Sequence, residues 1–131
     1  MSRRSFLVKD RKRTEEAAMV TGKGSRMVLV TCGSIVEARR IASRVVRKRL
    51  AACVNIVLGP VQSIYRWKGK VQSAREVLIV IKTTEKRLAE LENEVVHWHS
   101  YDVPEFVVIP VAAGSREYLD WLEESVKPAG K

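Results

Sequence analysis

The chain has 131 residues, a mass of 14.8 kDa and a formal net charge of +9, and 46% of its residues are hydrophobic. This length favours one domain, and the apolar content suffices for one modest core, which argues against global disorder. No apolar run approaches the roughly 18 residues of a membrane-spanning helix, and two cysteines do not make a disulfide framework at this length. We therefore expect a cytoplasmic domain with free thiols and no membrane partner.

The positive charge is concentrated in residues 1–26, which hold eight of the 24 basic residues and three of the 15 acidic ones. The remainder is only mildly basic, so the overall charge does not by itself indicate nucleic-acid binding. Residues 1–26 also lack sustained apolar periodicity, and such segments cannot offset their ordering entropy. The sequence predicts a disordered basic N-terminal extension at 1–26 and one domain at 27–131.

The extension allows several interpretations. Residues 2–9 resemble a twin-arginine export signal, but the charged run 10–16 stands where such a signal needs an apolar stretch, so we expect no export. Other interpretations are an alternative start at Met19 or Met27 and a weak anion-binding arm. The residue pattern leaves them open.

The ordered part begins with a short apolar run at 27–32 that predicts a buried strand. Ser34 can cap the next helix, in which apolar residues recur at helical spacing. Residues 52–67 are rich in Val and Ile and predict a strand that is bent at Gly59 and Pro60.

A tight turn at 68–70 leads into a second long strand over 71–83, whose apolar residues on both faces indicate a central position. Thr84 is expected to cap the next helix, residues 106–111 to form the fourth strand, and Ser115 to cap a last helix. This order predicts an α+β fold, a ferredoxin-like βαββαβ sandwich with an extra C-terminal helix.

Two features of this fold predict association with further copies of the chain. The fourth strand lies at a sheet edge, where Pro110 is tolerated, yet residues 107–109 are apolar on both faces. The long hairpin 52–83 extends beyond what one small sheet needs. Trp67, beside Tyr65 near the hairpin turn, is either a cap on the core or an anchor for another subunit, and we favour the anchor.

The polar connection into the fourth strand offers candidates for chemistry. His99 and Glu105 can ligate a metal or position a general base, although a histidine at a helix C-terminus also interacts favourably with the helix dipole. Glu105 is equally consistent with a solvent-facing or interface carboxylate. Walker, CxxC, HExxH and GxGxxG motifs are absent, and no catalytic-triad signature is evident, so we expect no enzymatic activity.

The cysteines and one basic helix face complete the set of candidates. Cys32 ends the first strand, where a side chain can reach a cleft, whereas Cys53 has apolar neighbours and is expected to be a small buried hydrophobe. Thiolate ligation of copper(I) is the alternative role for a cysteine here. The basic stripe at 40–48 carries no aromatic residues for base stacking, so it is interpreted as a solvated face and a nucleic-acid partner is not expected.

Five motifs resemble the CutA divalent-cation tolerance family. They are LAACVN at 50–55, SIYRWKGK at 63–70, IKT at 81–83, HSYDVPE at 99–105 and YLDWL at 118–122. The resemblance covers residues 27–126 and implies the ferredoxin-like fold, a homotrimer built by strand pairing between subunits, and a link to copper and other divalent cations. It implies no established enzymatic reaction. The architecture is also similar to that of the nitrogen-regulatory PII proteins, but their ATP-binding signatures are not recognisable here.

The resemblance further implies copper ligation by a cysteine in the first strand and a histidine pair. His99 matches the second histidine, Trp98 stands at the first, and Val30 stands at the cysteine position. Cys32, two residues along the same strand face, and Glu105 are the substitutes that the sequence offers. We therefore expect a trimeric metal-tolerance protein that binds copper or another divalent cation through His99, Cys32 and Glu105. The alternative is a trimeric scaffold or signalling regulator that binds a small ligand or a partner protein, with metal binding incidental.

Overall fold

A computed structural model of the protein describes residues 18–129. Its strands are β1 (Met19–Thr21), β2 (Ser25–Cys32), β3 (Cys53–Ile56), β4 (Val61–Trp67), β5 (Lys70–Thr84), β6 (Val107–Pro110) and β7 (Ala113–Ser115). Its helices are α1 (Ile35–Arg47), α2 (Leu88–Trp98) and α3 (Arg116–Ser125). The main part of this order reproduces the predicted βαββαβ succession with an additional C-terminal helix.

The main sheet is antiparallel, with the strand order β3–β5–β2–β6, and β4 pairs with the first half of β5. This order confirms the ferredoxin-like α+β class. Strand β5 is central and β6 lies at the edge, as predicted. Pro110 pairs with Arg26 at the end of that edge strand, where a residue without an N–H group is tolerated.

One face of the sheet is covered by α1 and α2. Ser34 caps α1 as predicted, because its Oγ accepts a hydrogen bond from the Glu37 backbone N–H at 3.1 Å. The helix buries its apolar stripe against the sheet. The core on this side comprises Val28, Val30, Cys32, Ala38, Ile41, Val45, Leu50, Ala51, Ile79, Ile81, Leu91 and Val95.

The opposite face of the sheet is also apolar, but it is much less covered. Register places six of its residues together, because directly opposed residues share a face. This open face consists of Met27, Leu29, Leu78, Val80, Val107 and Ile109, all half-buried or exposed. Helix α3 packs only beside one end of the sheet, where Lys82 Nζ donates to the Tyr118 hydroxyl at 3.5 Å.

The predicted disorder over residues 1–26 is wrong for its last part. Strand β1 pairs with β7, Val20 packs against the α3 cluster, and β2 begins at Ser25, two residues earlier than predicted. A three-residue strand is too short to show an alternating pattern, and its backbone hydrogen bonds need no apolar side chains. A Cβ at Gly22 would lie 1.7 Å from the Val111 carbonyl oxygen, so this close approach requires glycine. Residues 1–17, with the export-like segment, lie outside the described residues.

Three other boundaries differ from the sequence prediction. The bent strand 52–67 is two strands, separated at 57–60. Thr84 and Ser115 make no side-chain capping bond, since each is still the last residue of a paired strand. A 3₁₀ turn, Glu85–Arg87, separates Thr84 from α2.

Strands β4 and the first part of β5 form a hairpin over residues 61–76, here called the arm. Because β2 pairs with β5 only from Val77 onward, the second edge of β5 over 70–76 has no strand partner within the described residues. The arm exposes four large apolar or aromatic side chains, Ile64, Tyr65, Trp67 and Val71. Trp67 is 46% exposed, so it does not cap the core of its own protomer.

Candidate functional site

Three potential ligands meet at the C-terminal end of β2. One candidate ligand atom from each of Cys32, Glu37 and His99 lies within 4.8 Å of the others, and all three residues are buried. Cys32 ends β2, Glu37 lies in the first turn of α1, and His99 follows α2 directly. The packing of both helices on one sheet face therefore assembles the cluster.

Both ring nitrogens of His99 are engaged by the backbone. Nε2 lies 2.7 Å from the Thr31 carbonyl oxygen, and the Tyr101 N–H donates to Nδ1 at 3.1 Å. Since a carbonyl oxygen only accepts and an amide N–H only donates, this arrangement fits a neutral ring with its proton on Nε2. Nδ1 also lies 3.9 Å from Glu37 Oε1.

The Glu37 carboxylate joins two loops. Oε1 accepts from the Gly33 N–H at 3.2 Å, and Oε2 accepts from the Ser100 N–H at 2.8 Å. Burial acts to raise the pKa of Glu37, but the hydrogen bonds from Ser100 and Gly33 outweigh it, so this pKa is lowered. The carboxylate thus fixes the start of α1 to the connection that follows α2.

The thiol of Cys32 is held protonated. Burial, followed by the negative charges of Glu37 and Glu76, raises the pKa of Cys32 to about 12. The sequence predicted that Cys32 reaches a cleft and that Cys53 is buried. The structure reverses this prediction, because Cys32 is fully buried in the core and Cys53 is half-buried. The inward position follows from register, since Cys32 shares its face with Val28 and Val30.

Glu105 does not join Cys32 and His99, although the sequence grouped all three. It is exposed and lines a cavity between the arm and the connection at 99–105, here called the groove, of about 940 Å³. Tyr65 and Trp67 line the same groove. The third member of the cluster is instead Glu37, which the sequence analysis missed. The spacing of Ser34 and Glu37, an S-x-x-E capping signature directly after a strand, was the signal that could have found it.

The groove contains one further polar pair. The Tyr101 hydroxyl donates to Glu76 Oε2 at 2.8 Å. Burial, followed by this hydrogen bond and the Glu76 charge, raises the pKa of Tyr101 to about 12, so the hydroxyl remains a donor at neutral pH. The rings of Tyr101 and His99 lie 4.7 Å apart, which links the groove to the cluster.

Trp98 and the basic stripe have structural partners. The Trp98 Nε1–H donates to Glu94 at 3.0 Å, and the Arg44 guanidinium lies 4.3 Å from the centroid of the Trp98 ring. Glu94 also pairs with Lys48 at 2.8 Å. Arg44 and Lys48 of the basic stripe therefore pair with residues of α2, which is consistent with a solvent-exposed helix face.

The fold and the site define a small ferredoxin-like α+β protein with a buried Cys–Glu–His cluster at the end of its first long strand. A family model described as CutA1 divalent ion tolerance protein matches residues 26–125. The chain belongs to this family, in agreement with its five sequence motifs.

Relatives agree with this assignment. The divalent-cation tolerance protein CutA of Thermus thermophilus is 50% identical over 99 residues, which span 76% of this chain and 95% of the relative. That of Archaeoglobus fulgidus is 42% identical over 100 residues, spanning 76% and 96%. The solved structure of CutA from Synechococcus elongatus matches with a TM-score of 0.80 at 35% identity, over 87% of this chain and 100% of that one. Among the residues that the structure describes, no helix is long and apolar enough to cross a membrane.

Proposed function

We propose that the protein acts in tolerance to divalent cations as a homotrimer that binds copper through Cys32, Glu37 and His99. Membership of the CutA1 divalent ion tolerance family supports the link to divalent cations. The convergence of the three candidate ligand atoms within 4.8 Å is the observation that carries the choice of site. The proposal assigns binding and no catalytic step.

The donor set fits copper chemically. A thiolate suits copper(I), an imidazole suits copper(II), and a carboxylate can complete either set. The residues must first change state, because the Cys32 thiol has to lose its proton and His99 Nδ1 has to release the Tyr101 N–H. Binding therefore releases protons, and the affinity for copper should fall as the pH is lowered.

A trimeric scaffold or regulator is the second candidate, and the hydrogen bonds of the cluster favour it. His99 and Glu37 hold backbone groups of Thr31, Gly33, Ser100 and Tyr101, so the cluster fixes the connection at 99–105 without any metal. In that case metal binding is incidental, and the groove or an exposed surface carries the function.

The homotrimer is supported by the open face and by the arm. The open face is a sheet surface of six apolar residues with incomplete cover, and a soluble protein rarely leaves such a surface in water. Val107 and Val108 on edge strand β6 are 47% and 38% exposed. Tyr65 and Trp67 on the arm are suited to be anchors in a neighbouring subunit.

Calorimetry with copper distinguishes the two candidates. Copper(II), and copper(I) under reducing conditions, are titrated into wild type, Cys32→Ser and His99→Gln, with Glu105→Gln and Cys53→Ser as matched controls. We expect the first two variants to weaken binding at least about tenfold, while both controls bind as wild type does. Circular dichroism checks that each variant is folded. Equal affinities in all five proteins would remove the site and favour the scaffold.

Light scattering tests the homotrimer. Wild type should have three times the 14.8 kDa protomer mass. Truncating a buried aromatic costs about 3–5 kcal/mol, so Trp67→Ala should dissociate or strongly weaken the assembly. Val36→Ala, an exposed position on α1, is the control that keeps the mass unchanged. A wild-type mass near that of one protomer at micromolar concentration contradicts the proposal.

We propose the cytoplasm as the compartment, because both cysteines are free thiols. Names of relatives include a chloroplastic protein of Arabidopsis thaliana and a periplasmic protein of Archaeoglobus fulgidus. Cell fractionation with antibody detection tests the assignment, and recovery of the protein outside the cytoplasm overturns it.

A further inference from the structure

A second cavity, here called the end pocket, lies at the end of the sheet opposite to the arm. It has a volume of about 330 Å³ and is formed by the turn at 22–24, by residues 84–86 and by one side of α3. Strand β2 begins at this pocket and ends at the Cys–Glu–His cluster, about 23 Å away at 3.3 Å per residue. The end pocket is therefore separate from the cluster, the arm and the groove.

Two hydroxyl groups on the inner side of the end pocket lack hydrogen-bond partners. Ser25 and Thr84 stand directly opposite each other on β2 and β5, and they are only 5% and 9% exposed. Within residues 18–129, neither hydroxyl takes part in a hydrogen bond. No fully enclosed side-chain oxygen of these residues is left without a partner, so the small accessible surface of both hydroxyls faces the pocket that they line. An unpartnered hydroxyl at this depth costs free energy, which a polar ligand would recover.

The rim of the end pocket carries charges of both signs. Five of its side chains are exposed and form no ion pair within the part of the chain that the structure describes, namely Lys23, Lys86, Arg116, Asp120 and Glu123. One further carboxylate on the rim, that of Glu85, is already paired with Arg26 at 3.3 Å. Three cations and two carboxylates therefore remain available to a ligand.

This mixture of charges favours a zwitterion. The carboxylates would repel a phosphate, and the cations would repel a ligand that carries only an ammonium group. Lys23 and Lys86 each lie two residues from one of the unpartnered hydroxyls, whereas Asp120 and Glu123 are three residues apart on one side of α3. A ligand carboxylate beside the hydroxyls and a ligand ammonium group beside α3 would thus each meet the opposite charge.

We propose that the end pocket binds a small neutral α-amino acid in its zwitterionic form. Its carboxylate accepts hydrogen bonds from the hydroxyls of Ser25 and Thr84 and lies near the two lysines, and its ammonium group lies at the carboxylates of α3. Val20 and Leu119, which also line the pocket, offer apolar surface to a short side chain. The site gives the scaffold or regulator a ligand of its own, and it does not depend on copper binding.

A chemical-shift titration of the backbone amides in isotope-labelled protein tests the proposal with related probes. L-Alanine carries both charged groups, propionate lacks the ammonium group, and ethylamine lacks the carboxylate. We expect L-alanine to bind wild type at least about tenfold more tightly than either of the other probes. It should shift the amide signals of Lys23, Gly24 and Glu85, but not those of Gly33 and Ser100 at the cluster.

Two variants separate the contributions of the hydroxyls and the charges. Ser25→Ala removes one hydroxyl and should weaken L-alanine binding at least about fivefold, while Ser43→Ala, at an exposed position on α1, should bind as wild type does. Asp120→Asn combined with Glu123→Gln removes the negative charges, so this variant should bind L-alanine no more tightly than propionate. Glu92→Gln, at an exposed position on α2, is the matched control for loss of a carboxylate.

Several results would overturn the proposal. They are the absence of saturable L-alanine binding to wild type, equal binding of all three probes, and shifted amides that lie at the groove or the cluster. Tighter binding of propionate than of L-alanine would make the pocket an anion site, and unchanged binding in Ser25→Ala would remove the hydroxyls from it. If circular dichroism shows that Ser25→Ala does not fold, Thr84→Val removes the opposing hydroxyl, and unchanged binding in that variant is equally contrary. None of these results depends on copper, so this proposal and the copper site fail separately.

Discussion

The end of β2 and the arm are neighbouring regions of one protomer. They differ in how completely their polar groups are hydrogen-bonded and their apolar side chains are buried. At the end of β2, the His99 nitrogens and both Glu37 oxygens have hydrogen-bond partners, and the Cys32 thiol is buried and neutral. On the arm, large apolar side chains are exposed, and the buried Glu76 carboxylate has one hydrogen-bonded oxygen among the described residues.

This difference indicates where the protein gains free energy by binding something else. A ligand at the cluster has to replace hydrogen bonds that already exist, and each replacement reduces its net affinity. A ligand or a second subunit at the arm covers exposed apolar surface without replacing existing hydrogen bonds, so it meets less competition. We therefore expect the arm and the open face to dominate association, and the cluster to dominate the stability of the protomer.

The largest expected effect separates the two faces of β5. Ile79 is fully buried beneath the helices, and its neighbour Leu78 belongs to the open face. Ile79→Ala should lower the free energy of unfolding by about 2–5 kcal/mol at every protein concentration. Leu78→Ala removes a similar volume, but its effect should depend on protein concentration, because its cover comes from another copy. Urea unfolding over a hundredfold concentration range measures both, and a concentration-independent loss in Leu78→Ala contradicts the comparison.

The second prediction concerns Glu37, which should stabilise the protomer by about 1–3 kcal/mol through its two backbone hydrogen bonds. The pKa of Glu37 is lowered in the folded state, so this contribution is present above the ordinary carboxyl pKa of 4.5 and is lost as the pH falls through the lowered value. Glu37→Gln should therefore be less stable than wild type at neutral pH, and the gap should close in acid. Denaturant unfolding at neutral pH and in acid measures the difference in unfolding free energy between wild type and Glu37→Gln, with Glu92→Gln as control. A gap that persists unchanged in acid would show that charge is not involved.

The sequence predicts the main sheet well because its strands carry the signals that packing requires. Residues 77–81 are apolar on both faces, and this property placed their strand in the centre of the sheet, while the short apolar run 27–32 predicted a buried strand. Pro110 placed the fourth strand at an edge, and Ser34 marked the start of a helix. These elements are local in origin, since a strand or a cap is determined largely by its own residues.

The parts that the sequence did not predict depend on contacts between distant residues. Strand β1 exists because β7 offers a backbone partner more than 90 residues away, for which three residues give no pattern. Glu37 belongs to the cluster because helix packing brings the Ser100 N–H to its carboxylate. Glu105 does not belong to it, because the connection at 99–105 turns toward the arm and places Glu105 in the groove. The direction in which Cys32 points follows from strand register, which decides the face of every side chain at once.

The third prediction concerns the alkaline range. The pKa of Cys32 is raised from 9.0 to about 12 in the folded state, so the stability that comes from its neutral thiol is fully present below pH 9 and is lost as the pH rises toward 12. Wild type should lose this stability by no more than about 1.4 kcal/mol per pH unit, the limit for one titrating group. In Cys32→Ala that contribution is absent, so the stability difference between the two proteins should shrink between about pH 8 and pH 10.5. Thermal unfolding of wild type and Cys32→Ala at about pH 8 and pH 10.5 measures this difference. A stability difference that stays the same at the two pH values would mean that the thiol lies in a more polar environment than the core.

The smallest expected effect lies on the helix surface, at the ion pair between Lys48 and Glu94. The pair is short at 2.8 Å, and the hydrogen bond from Lys48 is the largest cause that lowers the pKa of Glu94. The Lys48 side chain is nevertheless 52% exposed, and exposed pairs contribute only about 0.2–1 kcal/mol. Lys48→Ala should therefore destabilise the protein by an amount in this range in low salt and by almost nothing near 1 M salt, where charges are screened within about 3 Å. Arg47→Ala, also on the outer face of α1, is the control for loss of a cation. A salt-independent loss above about 2 kcal/mol would mean that this surface, like the cluster, is part of the protomer's internal network rather than a solvated face.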